Sequence, residues 1–242
     1  MCIVTYIPLD KTVFITHNRD EKSSRTKAII PKEYIINGYT ILFPRDSAAG
    51  GSWIAINKNG AAAVLLNGGF TKHVHRPPYK KSRGLAFLDI IAANDLFLSY
   101  NKVDLAGIEP FTVILWSNYI LYECRWDGKQ KHINKPDAGK PHTWSSVTLY
   151  GEEVIARRNE WFDKWLQLHP RPSMENIIQF HLSAGDGDKQ NDLRMNRNDD
   201  MLTVSITAME ISESKSIMQY LDLQDNTRSV QEFNFTKAAA IQ

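Results

Sequence analysis

With 242 residues, 43% hydrophobic and 23% charged, the chain has the composition of a soluble globular protein able to bury one large core or two modest ones, and one elaborated domain over 1–242 is expected. Twenty-nine basic against 27 acidic residues leave a formal charge of +2, so no whole-chain field draws it to nucleic acid or an anionic membrane. Cys2 and Cys124 lie too far apart in sequence for a Cys-x-x-Cys pair, no apolar run approaches a membrane span, and no basic region precedes an apolar stretch at the start, so a reduced, cytoplasmic setting without a signal peptide is expected.

Short β-branched and aromatic runs alternate with turn dipeptides over the first 70 residues and predict antiparallel strands. Cys2 to Pro8 and Thr12 to Arg19 flank Asp10-Lys11, Tyr34 to Ile36 and Tyr39 to Phe43 flank Asn37-Gly38, and Ser52 to Asn57 and Ala61 to Leu66 flank Asn59-Gly60. A basic loop from Phe70 to Ser82 follows. Leu85, Leu88, Ile91 and Ala92 then mark a helix, or two helices split near Asn94. Strands resume at Phe111 to Trp116, Ile120 to Trp126 and Lys131 to Ile133. Glu152 to Leu168 has acidic residues in its first turn and an apolar stripe, and Ser173 can cap a second helix running to about Ser183. Beyond a loop-like "AGDGDKQNDLRMNRNDD", Met201 to Met209, Ser216 to Leu221 and Ser229 to Phe235 read as the last strands. Strands bunched together and helices segregated predict an α+β sheet sandwich rather than alternating βαβ units.

If Asp10-Lys11 is the tip of the first hairpin, residues whose numbers sum to 21 face one another, and Cys2 pairs with Arg19. Removal of Met1 ahead of a small second residue would leave a free N-terminal Cys2, which carries a thiol nucleophile and, in its α-amine, a base with an unperturbed pKa of roughly 7.7–8.0. Arg19 would favour the thiolate, and Asp20 could orient the amine. The competing reading of "NRDE" at 18–21 is a solvated turn. Asn67, at the end of "AAAVLLN", is suitable for an oxyanion hole, although Asn67-Gly68-Gly69 also reads as a plain flexible turn.

"MCIV" at the start, "NRDE" at 18–21, "GGSWIAIN" at 50–57 followed by "GAAAVLLN", and "SRG" at 82–84 resemble the transport and Golgi organisation protein 2 (NRDE) family. That family in turn resembles the N-terminal-nucleophile (Ntn) hydrolases of the penicillin acylase and bile-salt hydrolase type. The resemblance implies a four-layer αββα sandwich of antiparallel sheets. It implies catalytic roles for Cys2 as nucleophile, Arg19, Asp20 holding the amine and Asn67 at the oxyanion, with Asn18 and Ser146 as substrate-binding residues. The activity implied is hydrolysis of a small-molecule amide at its C–N bond. The chain departs from those hydrolases at His17, where they carry arginine, at Ser146, which stands near their second active-site asparagine, and in having only Arg194 or Arg197 for a late arginine. The family's association with Golgi organisation, lipid metabolism and haem handling implies the alternative of a non-catalytic carrier for haem or another amphipathic ligand.

The loop "TKHVHRPPYKKSR" could receive an anionic group or be merely solvated. His73 and His75 lack neighbouring acidic or cysteine ligands in sequence, so no metal is expected, and nothing calls for a resident cofactor. Trp161, Phe162 and Trp165 should pack a helix on the sheet, and Cys124 should be a buried small hydrophobe. The partner expected is a small molecule rather than a nucleic acid.

Overall fold

At the first turn Asp10 takes the left-handed conformation (φ 54°), and from it β1 (Ile3–Leu9) and β2 (Thr12–Lys22) run back antiparallel. Every pair from Leu9↔Thr12 to Ile3↔Asn18 obeys the sum of 21. The computed structural model describes residues 3–236, so Cys2, expected opposite Arg19, lies outside the described residues.

The end of β2 differs from the sequence expectation. The strand does not stop at Arg19 but continues to Lys22, because its other edge pairs with β12 (Met201–Ile211), with Asp20 opposite Thr203 and Lys22 opposite Met201. Asn18, Arg19 and Asp20 are therefore buried inside a sheet, which rules out the solvated turn. A bulge between Thr203 and Ser205 resets the alternation of β12, so Ser205 lies opposite Arg19 and Thr203 opposite Asp20.

Among the described residues the strands form two seven-stranded antiparallel sheets. The first has the order β10 (His142–Ser145), β1, β2, β12, β13 (Lys215–Asp222) and β14 (Thr227–Asn234), with the short β11 (Asn196–Arg197) on β12. The second is a meander of β3 (Ile29–Ile36), β4 (Tyr39–Arg45), β5 (Ile54–Asn57), β6 (Ala62–Asn67), β7 (Phe111–Ser117), β8 (Ile120–Trp126) and β9 (Lys131–Asn134). Between β6 and β7 come α1 (Arg83–Ile91) and α2 (Leu96–Lys102), separated because Asp95 caps a new helix by accepting the Leu98 N–H at 2.9 Å. Helices α3 (Glu152–Leu168) and α4 (Met174–Ser183) have the expected bounds, and Ser173 and Asn176 form a capping box.

Alternation along β1 and β2 sorts the layers. Val4, Tyr6, Val13 and Ile15 join the core shared with Ile41, Trp53 and Trp116 of the second sheet, while Ile3, Ile7 and Phe14 pack with Phe162, Ile177 and Phe180 of α3 and α4. Helices α1 and α2 cover the far face of the second sheet, against β5, β6 and β7. The result is α1–α2, sheet, sheet, α3–α4, the αββα sandwich. Trp161 and Trp165 pack in the helix layer, and Cys124 is buried, its thiol pushed up to about 12 by desolvation.

Two sequence motifs meet in this frame. A Cβ on Gly51 of "GGSW" would lie 2.5 Å from the backbone of Gly84 of "SRG", and the Ser52 N–H donates to the Gly84 carbonyl at 3.2 Å. Only glycine lets the turn before β5 press against the first turn of α1. Gly51→Ala is expected to destabilise the fold by about 2–3 kcal/mol through overpacking, read as a lower urea midpoint at unchanged m.

Candidate active site

A cavity of about 430 Å³ opens at the end of β2, between the two sheets and the loop that leads into α1. Arg19 and Glu21 reach it from β2, Asp46 and Trp53 from the turns flanking β4 and β5, Asn67 from the end of β6, and Arg83 and Glu109 from the opposite wall. Arg19 faces inward because it shares the inter-sheet side of β2 with Ile15 and His17, whereas Asn18 and Asp20 face the helices.

Asp46 is the hub of the polar wall. Its Oδ2 accepts from Arg19 Nη2 at 2.9 Å and from Arg25 Nε at 2.9 Å, and its Oδ1 accepts the N–H groups of Ala48 (3.1 Å) and Ala49 (2.7 Å). Burial by itself would raise the carboxyl; the Arg25 bond, the Ala49 N–H and the two guanidinium charges outweigh it and hold Asp46 below the ordinary range. Arg19 also approaches Glu21 Oε2 (3.4 Å) and lies 4.5 Å from the centre of the Trp53 ring. Its positive charge is therefore fixed in place, half-enclosed by an aromatic face.

Across the cavity Arg83 Nη2 meets Glu109 Oε2 at 3.1 Å, while Glu109 Oε1 takes His73 Nε2 at 2.9 Å and His75 Nδ1 at 3.2 Å. Desolvation would raise Glu109, but Arg83 and the two histidines hold it down. The basic loop is thus two things at once: Lys72 and Arg76 are solvated, while Tyr79 and residues 81–84 form a wall of the cavity. The acidic partner that His73 and His75 lack in sequence is supplied by the fold. Even so, no group of three or more histidine, cysteine or carboxylate side chains among the described residues is arranged to hold a metal ion.

Asn67 sits where β6 ends. Its backbone carbonyl accepts from Ser146 Oγ at 2.9 Å, and its Oδ1 is buried without a hydrogen-bond partner among the described residues. Gly68 is no flexible hinge: it has φ +86°, and a Cβ there would come within 2.6 Å of Val147 Cγ2, so a glycine is required for the end of β6 to close on 147–148. Ser146 is fully buried behind Asn67 and does not line the cavity.

Asn18 also does not line it. Its Nδ2 donates to the carbonyls of Leu193 (2.8 Å) and His181 (3.2 Å), which can only accept, so its Oδ1 must accept from His181 Nδ1–H at 2.7 Å. That tautomer leaves His181 Nε2 to accept from Thr5 Oγ1 at 2.8 Å. Burial depresses His181 to about 3, and it is neutral. Asn18, expected at the substrate, is instead a bolt between β2 and α4, because its place in the strand points it to the helix layer.

Asp20 lies on the same face. Tyr150 Oη donates to its Oδ2 at 2.8 Å and Thr203 Oγ1 to its Oδ1 at 2.5 Å. The structure therefore joins Arg19 and Asn67 in one cavity, sets Ser146 behind Asn67, and leaves Asn18 and Asp20 on the other side of β2. Asp46, Trp53, Glu109, Tyr150 and Thr203 escape sequence reasoning. Trp53 stands in "GGSWIAIN", Tyr150 in "WSSVTLYGEE" at 144–153 and Thr203 in "LTVSIT" at 202–207, segments that carry the family resemblance without giving any of the three a role.

A family model described as Transport and Golgi organisation 2 matches residues 1–213. This chain belongs to the Transport and Golgi organisation 2 family. Among solved structures it is similar to the conjugated bile acid hydrolase from Clostridium perfringens, with a TM-score of 0.58 at 9% identity over 100% of this chain and 99% of that one. It is similar as well to the Caenorhabditis elegans N-acylethanolamine-hydrolyzing acid amidase ortholog, with a TM-score of 0.57 at 11% identity over 86% of this chain and 92% of that one. No curated protein matches. At such identities the likeness is one of fold, and it gives this member of the Transport and Golgi organisation 2 family the Ntn-hydrolase architecture. No helix among the described residues is long and apolar enough to cross a membrane.

Proposed function

We propose that this protein hydrolyses a small-molecule amide with Cys2 as an N-terminal nucleophile. The supporting observation is that Arg19 and Asn67, from different sheets, line one cavity at the end of β2 where the β1–β2 register follows the sum of 21 through its last described pair. The proposal extends that rule by one pair, to Cys2 and Arg19. In this reading the α-amine takes the thiol proton and the thiolate attacks the carbonyl carbon. The C–N bond then breaks as the amine leaves with that proton, and water hydrolyses the acyl thioester to regenerate the thiol. Arg19 stabilises the thiolate, and Asn67 supplies an amide to the developing oxyanion. Hydrolases named for bile acid conjugates and N-acylethanolamines share the fold, which agrees with this reading.

The experiment begins with intact mass of the natively expressed protein, for which loss of Met1 is expected. Cys2→Ala should then abolish labelling by a thiol-reactive acyl probe and lower turnover on an amide panel at least about 1000-fold. Retained Met1, or undiminished turnover in Cys2→Ala, sinks the proposal. The carrier reading finds support in the cationic groups that line the cavity, Arg25, Lys81 and Arg83, which suit the anionic end of an amphipathic ligand such as haem. It expects unchanged haem binding in Cys2→Ala and no turnover in either form.

A further inference from the structure

Arg158 of α3 is fully buried and makes no ion pair among the described residues. Its Nε and Nη2 are satisfied by the carbonyls of Asn191 (3.1 Å) and Asp192 (2.8 Å), while Nη1 has no hydrogen-bond partner among the described residues. A buried charge left this way is costly unless something else compensates it. The guanidinium carbon lies 3.6 Å from the centre of the Tyr150 ring, and that of Arg197, anchored on the Leu149 carbonyl at 3.0 Å, lies 5.1 Å from it. The same ring carries its hydroxyl to Asp20, 2.8 Å away and itself buried. A phenol thus stands between two cations, one buried and one half-buried, and a buried carboxylate, with its face to the cations and its O–H to the anion, the orientation in which ring quadrupole and hydroxyl dipole both lower the energy.

We infer that Tyr150 is a positioning residue for Asp20: backed by Arg158 and Arg197, it fixes the carboxylate in the orientation from which Asp20 holds the α-amine of Cys2. This rests on the hydrolase reading above. Thr203 fixes the second oxygen, and the bulge in β12 presents it on the face of β2 that Asp20 uses. Among the described residues each oxygen thus has a side-chain donor, the two from separate elements, and this restricts rotation of the carboxylate.

The test is the pH profile of α-amine acylation in the processed protein, followed by peptide mass with an acetylating reagent, for wild type, Asp20→Asn and Tyr150→Phe. Removing the carboxylate charge should lower the midpoint by about one unit. Tyr150→Phe keeps the ring over the cations and should move the midpoint in the same direction by a smaller amount, with acyl-probe labelling of Cys2 slowed about tenfold, the loss of one hydrogen bond to a charged group. A shift in Asp20→Asn with a wild-type profile in Tyr150→Phe, or a shift of opposite sign, overturns the inference and leaves the hydrolase reading intact. No shift in Asp20→Asn overturns the amine-holding role in that reading and the inference with it. Should Tyr150→Phe fail to fold, Arg197→Lys, which keeps the charge but gives up the planar guanidinium over the ring at the half-buried end of the array, must move the profile the same way; an unmoved profile there overturns the inference.

Discussion

Asp46→Ala is expected to cost about 3 kcal/mol or more of folding stability. The reason lies in what remains. Arg19, nearly inaccessible to solvent, would keep its charge with only Glu21 Oε2 at 3.4 Å, an oxygen it would share with Arg25 at 3.5 Å. Two backbone N–H groups, those of Ala48 and Ala49, would lose their acceptor as well. Asp46→Asn keeps an oxygen for the turn while removing the charge, and it should lose roughly half as much, since hydrogen bonds to a charged group contribute about 1.5–3 kcal/mol. Urea denaturation of the pair separates the terms. Equal losses in the two variants would show that the guanidinium pairing alone depends on Asp46, and a near-wild-type Asp46→Asn would show that the turn, and not the pairing, does.

Acid should unfold the protein over an unusually high pH range. His181 titrates near 6.5 when unfolded and at about 3 when folded, so between those values the unfolded chain binds the additional proton. Its contribution is present in full above pH 6.5 and is lost as pH falls toward 3, at up to about 1.4 kcal/mol per unit. At pH 4.5 this amounts to about 2–3 kcal/mol. His17 acts in the same sense: burial above all, with the nearby positive charge of Arg19 adding to it, holds it well below the ordinary value, and neither ring nitrogen has a hydrogen-bond partner among the described residues. Asp46, depressed by its arginines, adds a further loss below the ordinary carboxylate range. The check is stability against pH from 7 to 4 in wild type and in His181→Gln, which removes one titrating group. The variant should be less stable at pH 7 and should lose stability with a shallower slope; an unchanged slope would mean that His181 is not the proton acceptor.

Both predictions fall on residues that differ in how far the sequence exposes them. The hairpin arithmetic reads the Ile3↔Asn18 pairing correctly from a turn dipeptide alone, because register in a tight hairpin is a local property. Helices α3 and α4 follow equally well from acidic first turns, an apolar stripe and a Ser173 cap. The same reading ends β2 three residues early and misses β10, because both are held by partners far away in sequence: β12 for the end of β2, and β1 for His142–Ser145.

Amino-acid order by itself determined most of the elements, the α+β class and the first hairpin's register, all of which rest on interactions within a turn or a few residues. It also carried the motif resemblance that led to the family. Tertiary structure decided which side of β2 each polar residue serves. Burial on both faces of a central strand forced "NRDE" to divide, with Arg19 and Glu21 facing the cavity and Asn18 and Asp20 facing the helices. The groups that complete those pairings, Asp46, His181, Tyr150 and Thr203, come from other strands, loops and helices, and a charge or amide withdrawn from water must find its partner wherever the packed fold supplies one.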